Sequence, residues 1–116
     1  MKKINILKKS FDYNRIINNN KPYKYKDYII YIERVENQKY KFGFSVGKKI
    51  GNAVTRNKVR RQLKSIVDKK DYQNNFNCII IVGRGVLSRT FQEMELNLHK
   101  AFETLNIYKE EKNEEQ

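Results

Sequence analysis

The sequence has almost no cysteine: Cys78 is the only one in 116 residues. A single cysteine excludes an intramolecular disulfide and a metal cluster built from cysteine ligands. Cys78 opens the most apolar run of the chain, so the pattern predicts a small buried hydrophobe in a strand and no reactive thiol. The thiol therefore gives no indication of function.

Long apolar runs are also absent. The longest is Cys78-Ile79-Ile80-Ile81-Val82, whereas a membrane-spanning helix needs about 20 such residues. The first nine residues contain too short an apolar stretch for a signal peptide. We therefore expect a cytoplasmic protein with no membrane partner.

Acidic residues are missing between Asn37 and Val67, although this window contains nine basic ones. These are Lys39, Lys41, Lys48, Lys49, Arg56, Lys58, Arg60, Arg61 and Lys64. The chain has 25 Lys and Arg against 13 Asp and Glu, a net charge of +12. Such segregated charge predicts a polyanionic partner. Because the basic segment lacks the Trp, Phe or Leu stripe of a membrane-surface helix, nucleic acid is favoured.

The first half of the chain predicts a helix and two strands. Ser10 is a candidate N-cap for a helix over residues 11–18. Residues 28–32 are apolar on both faces of a strand, and residues 39–47 alternate between Tyr40, Phe42, Phe44, Val46 and small or basic residues. A turn at Asn37-Gln38 would join these strands into a hairpin.

The second half predicts a helix, a strand and a final helix. Asn52 would cap a basic helix over residues 53–69, and a polar loop over 71–77 would lead into a strand over 78–82. Thr90 and Glu93 have the spacing of a capping box at the start of the last helix. This order predicts one α/β (α+β) domain over residues 1–108, a two-layer sandwich with a small mixed sheet, and a flexible charged tail over 109–116.

The basic helix separates its residues onto two faces. At about 100° per residue, Val59, Leu63 and Ile66 share an arc of about 60° that would pack on the sheet. A neighbouring arc of about 140° contains Arg56, Asn57, Arg60, Arg61 and Lys64. The like charges four residues apart cost about 0.2 to 0.5 kcal/mol per pair, so we expect an external anion to complete this face.

The segment from Ser45 to Lys64 closely resembles the signature of the bacterial ribonuclease P protein component. It reads Ser45-Val46-Gly47-Lys48-Lys49-Ile50 and then Gly51-Asn52-Ala53-Val54-Thr55-Arg56-Asn57-Lys58-Val59-Arg60-Arg61-Gln62-Leu63-Lys64. The resemblance extends from Leu7-Lys8-Lys9 to the last helix and leaves out only the acidic tail.

The resemblance implies a partner of a catalytic RNA that removes the 5′ leader of precursor tRNA. The RNA would perform the chemistry with magnesium, so the protein would be the noncatalytic component of this endoribonuclease, with no cofactor, metal site or catalytic residue of its own. The implied partners are the ribonuclease P RNA and precursor tRNA, with no protein partner. The charge alone fits an alternative equally well, a small structural ribosomal protein that binds rRNA.

The resemblance also assigns residues to two sites. The RNA-binding residues would be Lys48, Lys49, Arg56, Asn57, Lys58, Arg60, Arg61 and Lys64. A cleft for the leader would contain Tyr13, Ile17 and Tyr31, although the two tyrosines taken alone are more typical of a core. Ile17 stands where Phe is frequent in this family and Lys64 where Arg is common, which removes one stacking platform and one bidentate contact.

The implied fold is the ribosomal protein S5 domain 2-like fold. It has a split, left-handed β-α-β crossover between the strand near Val46 and the strand at Ile79, by way of the basic helix. The usual handedness rule alone predicts a right-handed crossover.

A nuclease active site within the protein is not indicated. His99 is the only histidine, and we interpret it as a residue of the helix surface or core edge. Asp68 and Asp71 are interpreted as surface residues, and Gly83-Arg84-Gly85 as a turn, because it lacks the Gly-Lys-Ser/Thr ending of a phosphate loop.

Overall fold

The computed structural model describes residues 1–110, so most of the predicted tail over 109–116 lies outside the described residues. The helices are α1 (Ser10–Asn19), α2 (Ala53–Val67) and α3 (Phe91–Leu105). The strands are β1 (Tyr23–Tyr25), β2 (Tyr28–Arg34), β3 (Lys41–Ser45) and β4 (Phe76–Val82). Short 3₁₀ turns cover Lys3–Asn5, Lys48–Ile50 and Arg84–Ser88.

The strands form one mixed sheet in the order β1-β2-β4-β3. The central strand β4 pairs antiparallel with β2 and parallel with β3. Six of its seven residues are buried, which requires cover on both faces and a neighbour on each edge. This confirms the predicted mixed α/β fold and the predicted strand around Ile79, although the strand begins at Phe76 and not at Cys78.

The predicted hairpin between residues 28–32 and 39–47 is wrong. Strands β2 and β3 are separated by β4, and the segment between them bonds to the loop before β4. The Val35 N–H donates to the Asn75 carbonyl at 3.1 Å, and the Asn75 N–H donates to the Gln38 carbonyl at 2.8 Å. The hairpin partner of β2 is the short strand β1.

The crossover from β3 through α2 to β4 joins two directly adjacent parallel strands. The expectation that it is split by an intervening strand is therefore wrong. Strand β4 has β2 on one edge and β3 on the other. No strand therefore lies between the two strands that α2 connects. The left hand of the crossover stays a prediction.

The two faces of the sheet have separate hydrophobic clusters. Helices α2 and α3 pack on one face, where Leu63, Phe42 and Phe102 are fully buried. Helix α1 covers part of the other face, where Ile16 packs against Ile79. Val59, Leu63 and Ile66 are all buried, so the predicted apolar face of the basic helix is confirmed.

Two of the three predicted helix N-caps are confirmed, and the third is wrong. The Asn52 side chain accepts the Thr55 N–H at 3.0 Å, and Thr90 and Glu93 form a reciprocal capping box, so both predicted caps are confirmed. Ser10 is not an N-cap: the Lys9 carbonyl accepts the Asp12 N–H at 3.0 Å, so Lys9 holds that position and makes no side-chain cap. Helix α2 ends at Val67, two residues before the predicted end.

Within residues 1–110, no helix has both the length and the apolar character needed to cross a membrane.

Candidate nucleic-acid interface

The start of α2 is fixed by the turn that precedes it. Ile50 is buried in the main core and anchors the Lys48–Ile50 turn. Gly51 follows with φ of +149°, a conformation that favours glycine, and the chain then enters the helix at Asn52. The turn and the helix therefore have a defined position relative to the sheet.

The structure brings all eight predicted RNA-binding residues together on α2 and this turn. Asn57, Lys58 and Arg61 are exposed on the outer face of the helix, whereas Arg56, Arg60 and Lys64 lie half-buried beside its apolar stripe. Lys48 and Lys49 are exposed on the turn. No ion pair with an acid neutralises any of these cations within residues 1–110.

Arg60 is held in place by two acceptors. It donates to the Asn57 side-chain oxygen at 2.9 Å and to the Val46 carbonyl at 3.3 Å. Asn57 thus uses its oxygen to orient Arg60, while its amide N–H groups have no protein acceptor in the described part of the chain. A guanidinium fixed in this way is suited to a directed contact with phosphate.

Arg56 contains an unsatisfied donor. Its Nε atom is buried and has no hydrogen-bond partner among the described residues. Such a group destabilises the chain by about 1 to 3 kcal/mol. The first turn of α2 is therefore not organised for stability alone.

The three predicted cleft residues also converge. Tyr13 and Ile17 of α1 and Tyr31 of β2 are half-buried and pack against the cluster formed by Leu7, Ile16 and Ile79. The Tyr13 hydroxyl donates to the Leu7 carbonyl at 3.3 Å. The three side chains thus form one half-buried surface, partly aromatic and partly aliphatic, where α1 packs on the sheet.

Arg60 lies between the cluster of Tyr13, Ile17 and Tyr31 and the outer face of the basic helix. Burial raises the pKa of Tyr13, and a backbone hydrogen bond from Phe44 and the positive charge of Arg60 oppose that rise. The charge of Arg60 therefore acts on the Tyr13 hydroxyl as well as on the outer surface. The two predicted sites are neighbours.

A polar network that the sequence does not predict fixes α1 on the sheet. Arg15 donates to both oxygens of Glu33 at 2.9 and 3.0 Å and to Asp12 at 2.6 Å. Glu33 also accepts the Asn77 amide at 2.8 Å. The hydrogen bond from Arg15, with that from Asn77, lowers the pKa of Glu33 despite its partial burial. Glu33 and Asn77 are far from Arg15 in sequence, so no local motif marks the network.

The two remaining candidate reactive groups, Cys78 and His99, are both at least partly buried in the fold. Cys78 is fully buried, and burial raises the pKa of its thiol. The His99 Nδ1 lies 2.5 Å from the Tyr108 hydroxyl, and burial lowers the pKa of the imidazole. Within the described residues, no group of three or more His, Cys, Asp or Glu side chains is arranged to hold a metal ion.

These features define a class: a small basic α/β protein with a segregated cationic helix and a half-buried cluster of Tyr13, Ile17 and Tyr31. The family model described as "Ribonuclease P" matches residues 1–106. The chain therefore belongs to the ribonuclease P protein family.

Individual relatives agree with this assignment. The ribonuclease P protein component of Mycoplasma mycoides is 38% identical over 108 residues, covering 86% of this chain and 94% of the relative. That of Mesoplasma florum is 30% identical over 103 residues, with the same coverage. The solved structure of the Staphylococcus aureus RNase P protein superimposes with a TM-score of 0.81 at 23% identity, over 90% of this chain and 98% of that one, and shows the same fold.

Proposed function

We propose that this chain is the protein subunit of the ribonucleoprotein endonuclease ribonuclease P and promotes removal of the 5′ leader from precursor tRNA. The observation that carries the proposal is the cationic surface of α2, whose eight residues lie together without acidic partners in the described part of the chain. The family membership, which covers residues 1–106, gives this surface its RNA partner.

In this proposal the basic helix binds the catalytic RNA. Its Lys and Arg side chains contact phosphates, and the bonds from Arg60 to Asn57 and Val46 reduce the ordering cost of one contact. The RNA performs the cleavage and uses the magnesium ions, and the protein contributes binding. The protein acts in the cytoplasm, where precursor tRNA is processed.

The cleft of Tyr13, Ile17 and Tyr31 holds the single-stranded leader. Stacking of a base on an aromatic ring contributes about 1 to 3 kcal/mol and tolerates any base, which suits leaders of different sequence. The half-buried state of Tyr13 and Tyr31 leaves part of each ring accessible. Ile17 contributes an apolar wall and no stacking platform.

Reconstitution tests the division of work. Precursor tRNA is incubated at low magnesium with the ribonuclease P RNA transcript, with the protein, or with both, and release of the leader is measured. We expect cleavage only when both are present. Cleavage by the protein alone would refute the noncatalytic role.

The alternative of a structural ribosomal protein has no support among the relatives. Affinity purification from cells followed by sequencing of the bound RNA separates the two: the proposed function requires enrichment of one structured RNA, and enrichment of rRNA would favour the alternative.

A further inference from the structure

We propose that the RNA-binding surface continues beyond α2 across one end of the sheet, where Lys26 and Arg84 join Lys48 and Lys49 in a stripe that binds phosphates of the catalytic RNA. We call these four residues the sheet-end stripe. The inference rests on the proposed function and extends it to two residues, Lys26 and Arg84, that lie outside the basic helix.

Strand register places the members of the sheet-end stripe side by side. Tyr28 pairs with Val82, and Ser45 pairs with Ile81. The segments just beyond these pairs are therefore neighbours: the hairpin tip at Lys26, the turn at Arg84 and the turn at Lys48. The Gly83 N–H donates to the Asp27 carbonyl at 2.8 Å and ties the first two together.

Both turns are anchored while their cations remain outside. Ile50 and Val86 are 3% and 2% exposed and belong to the same core cluster. Lys48, Lys49 and Arg84 are exposed on these turns. A surface whose backbone is held by buried residues loses little conformational freedom when it binds.

The only acidic residue in these three segments is already neutralised. Asp27 accepts a hydrogen bond from Arg89 Nε at 2.9 Å, and Gly85 lies so close that a Cβ there would overlap the Asp27 carboxylate. Lys26 is exposed, forms no ion pair within residues 1–110, and has its ammonium 5.8 Å from the Tyr25 ring. The sheet-end stripe therefore keeps its positive charge.

The length of the sheet-end stripe and its continuity with α2 indicate that both surfaces bind the same RNA. Adjacent strands are about 4.8 Å apart, so three neighbouring strand ends span about 10 Å. A nucleic-acid strand has one phosphate per nucleotide, so a stripe of this length can contact more than one phosphate of the same strand. The Lys48–Ile50 turn leads directly into α2, so one RNA can follow both surfaces.

The test is the salt dependence of binding to the ribonuclease P RNA transcript. The variant Lys26→Gln with Arg84→Gln removes two proposed phosphate contacts. We expect the slope of log affinity against log salt to become less steep by about 1.4 to 1.8, or 0.7 to 0.9 per contact. A thermal unfolding curve that matches the unsubstituted protein would show that the fold is retained.

The matched control is Lys70→Gln with Lys109→Gln. Both lysines are exposed, and Lys70 lies beyond the far end of α2, which is about 20 Å long. This pair removes the same total charge and should leave the slope unchanged. An equal flattening in the control would overturn the proposal, because it would reflect net charge alone.

Two further measurements separate the possible failures. If Arg60→Gln flattens the slope and the Lys26 and Arg84 variant does not, the sheet-end stripe is refuted while the proposed function stands. If neither variant changes the slope, the RNA interface of the proposed function fails as well. Weaker binding of precursor tRNA to the assembled ribonucleoprotein, with RNA transcript binding unchanged, would assign the stripe to the leader and overturn its assignment to the catalytic RNA.

Discussion

The Tyr13 hydroxyl lies directly against the backbone of Gly43. A Cβ atom at position 43 would come within 2.5 Å of Tyr13 Oη and 2.7 Å of Tyr13 Cζ. Glycine on β3 therefore allows α1 to approach the sheet closely.

Gly43→Ala should force the Tyr13 ring away from β3. Overpacking of this kind costs about 1 to 3 kcal/mol, and we expect that loss in the free energy of unfolding measured in urea. Gly47→Ala is the control, because nothing lies within 4 Å of a Cβ at that position. Equal stability of the two variants would show that the Tyr13 contact does not limit the packing of α1.

Arg60→Gln should make RNA binding less dependent on salt. If the cationic face meets about five phosphates, log affinity falls against log salt with a slope of about −3.5 to −4.5, and loss of one contact flattens it by about 0.7 to 0.9. Binding of the ribonuclease P RNA transcript at several salt concentrations provides the measurement. An unaltered slope would remove Arg60 from the interface.

Tyr31→Ala should weaken binding of precursor tRNA to the reconstituted ribonucleoprotein and leave mature tRNA nearly unaffected. The expected loss is about 1 to 3 kcal/mol, the contribution of one stacked base. Tyr23→Ala is a suitable control, since this tyrosine packs on the opposite face of the sheet. Similar losses for both tRNA forms would identify Tyr31 as a core residue only.

Glu33→Gln should destabilise the chain at neutral pH and have less effect in acid. The pKa of Glu33 is lowered in the folded chain, chiefly by the hydrogen bond from Arg15. Its carboxylate therefore adds stability above the unfolded pKa of about 4.3, and this stability is lost as the pH falls through the lower folded value.

Urea unfolding of both proteins at pH 7 and at pH 3 measures this difference. Glu36→Gln serves as the control, because Glu36 is exposed and has no ion pair within residues 1–110. A constant gap between Glu33→Gln and the unsubstituted protein at both pH values would argue against the ionised pair with Arg15.

Much of the local structure could be predicted because its causes lie close together in the sequence. Asn52 and Thr90 cap helices through residues three positions away, and the burial of Val59, Leu63 and Ile66 follows from helical spacing. The position of the cations on α2 follows from the same periodicity.

Strand pairing could not be predicted in the same way. Alternation in β3 indicates which side chains are buried, but it does not specify which strand lies beside it. That choice depends on β4, whose buried backbone N–H and C=O groups need a neighbouring strand on each edge, and β4 begins more than 30 residues after the end of β3. The network of Arg15, Glu33 and Asn77 was missed for the same reason, since it joins three separate elements.

The central place of β4 has a consequence for the order in which the molecule can assemble. Among the strands within residues 1–110, β3 pairs only with β4, and α2 lies between them in the chain. On the ribosome, α2 is therefore synthesised before the strand that fixes β3 in the sheet. The sheet on which the basic helix packs is therefore incomplete until residues 76–82 have been synthesised.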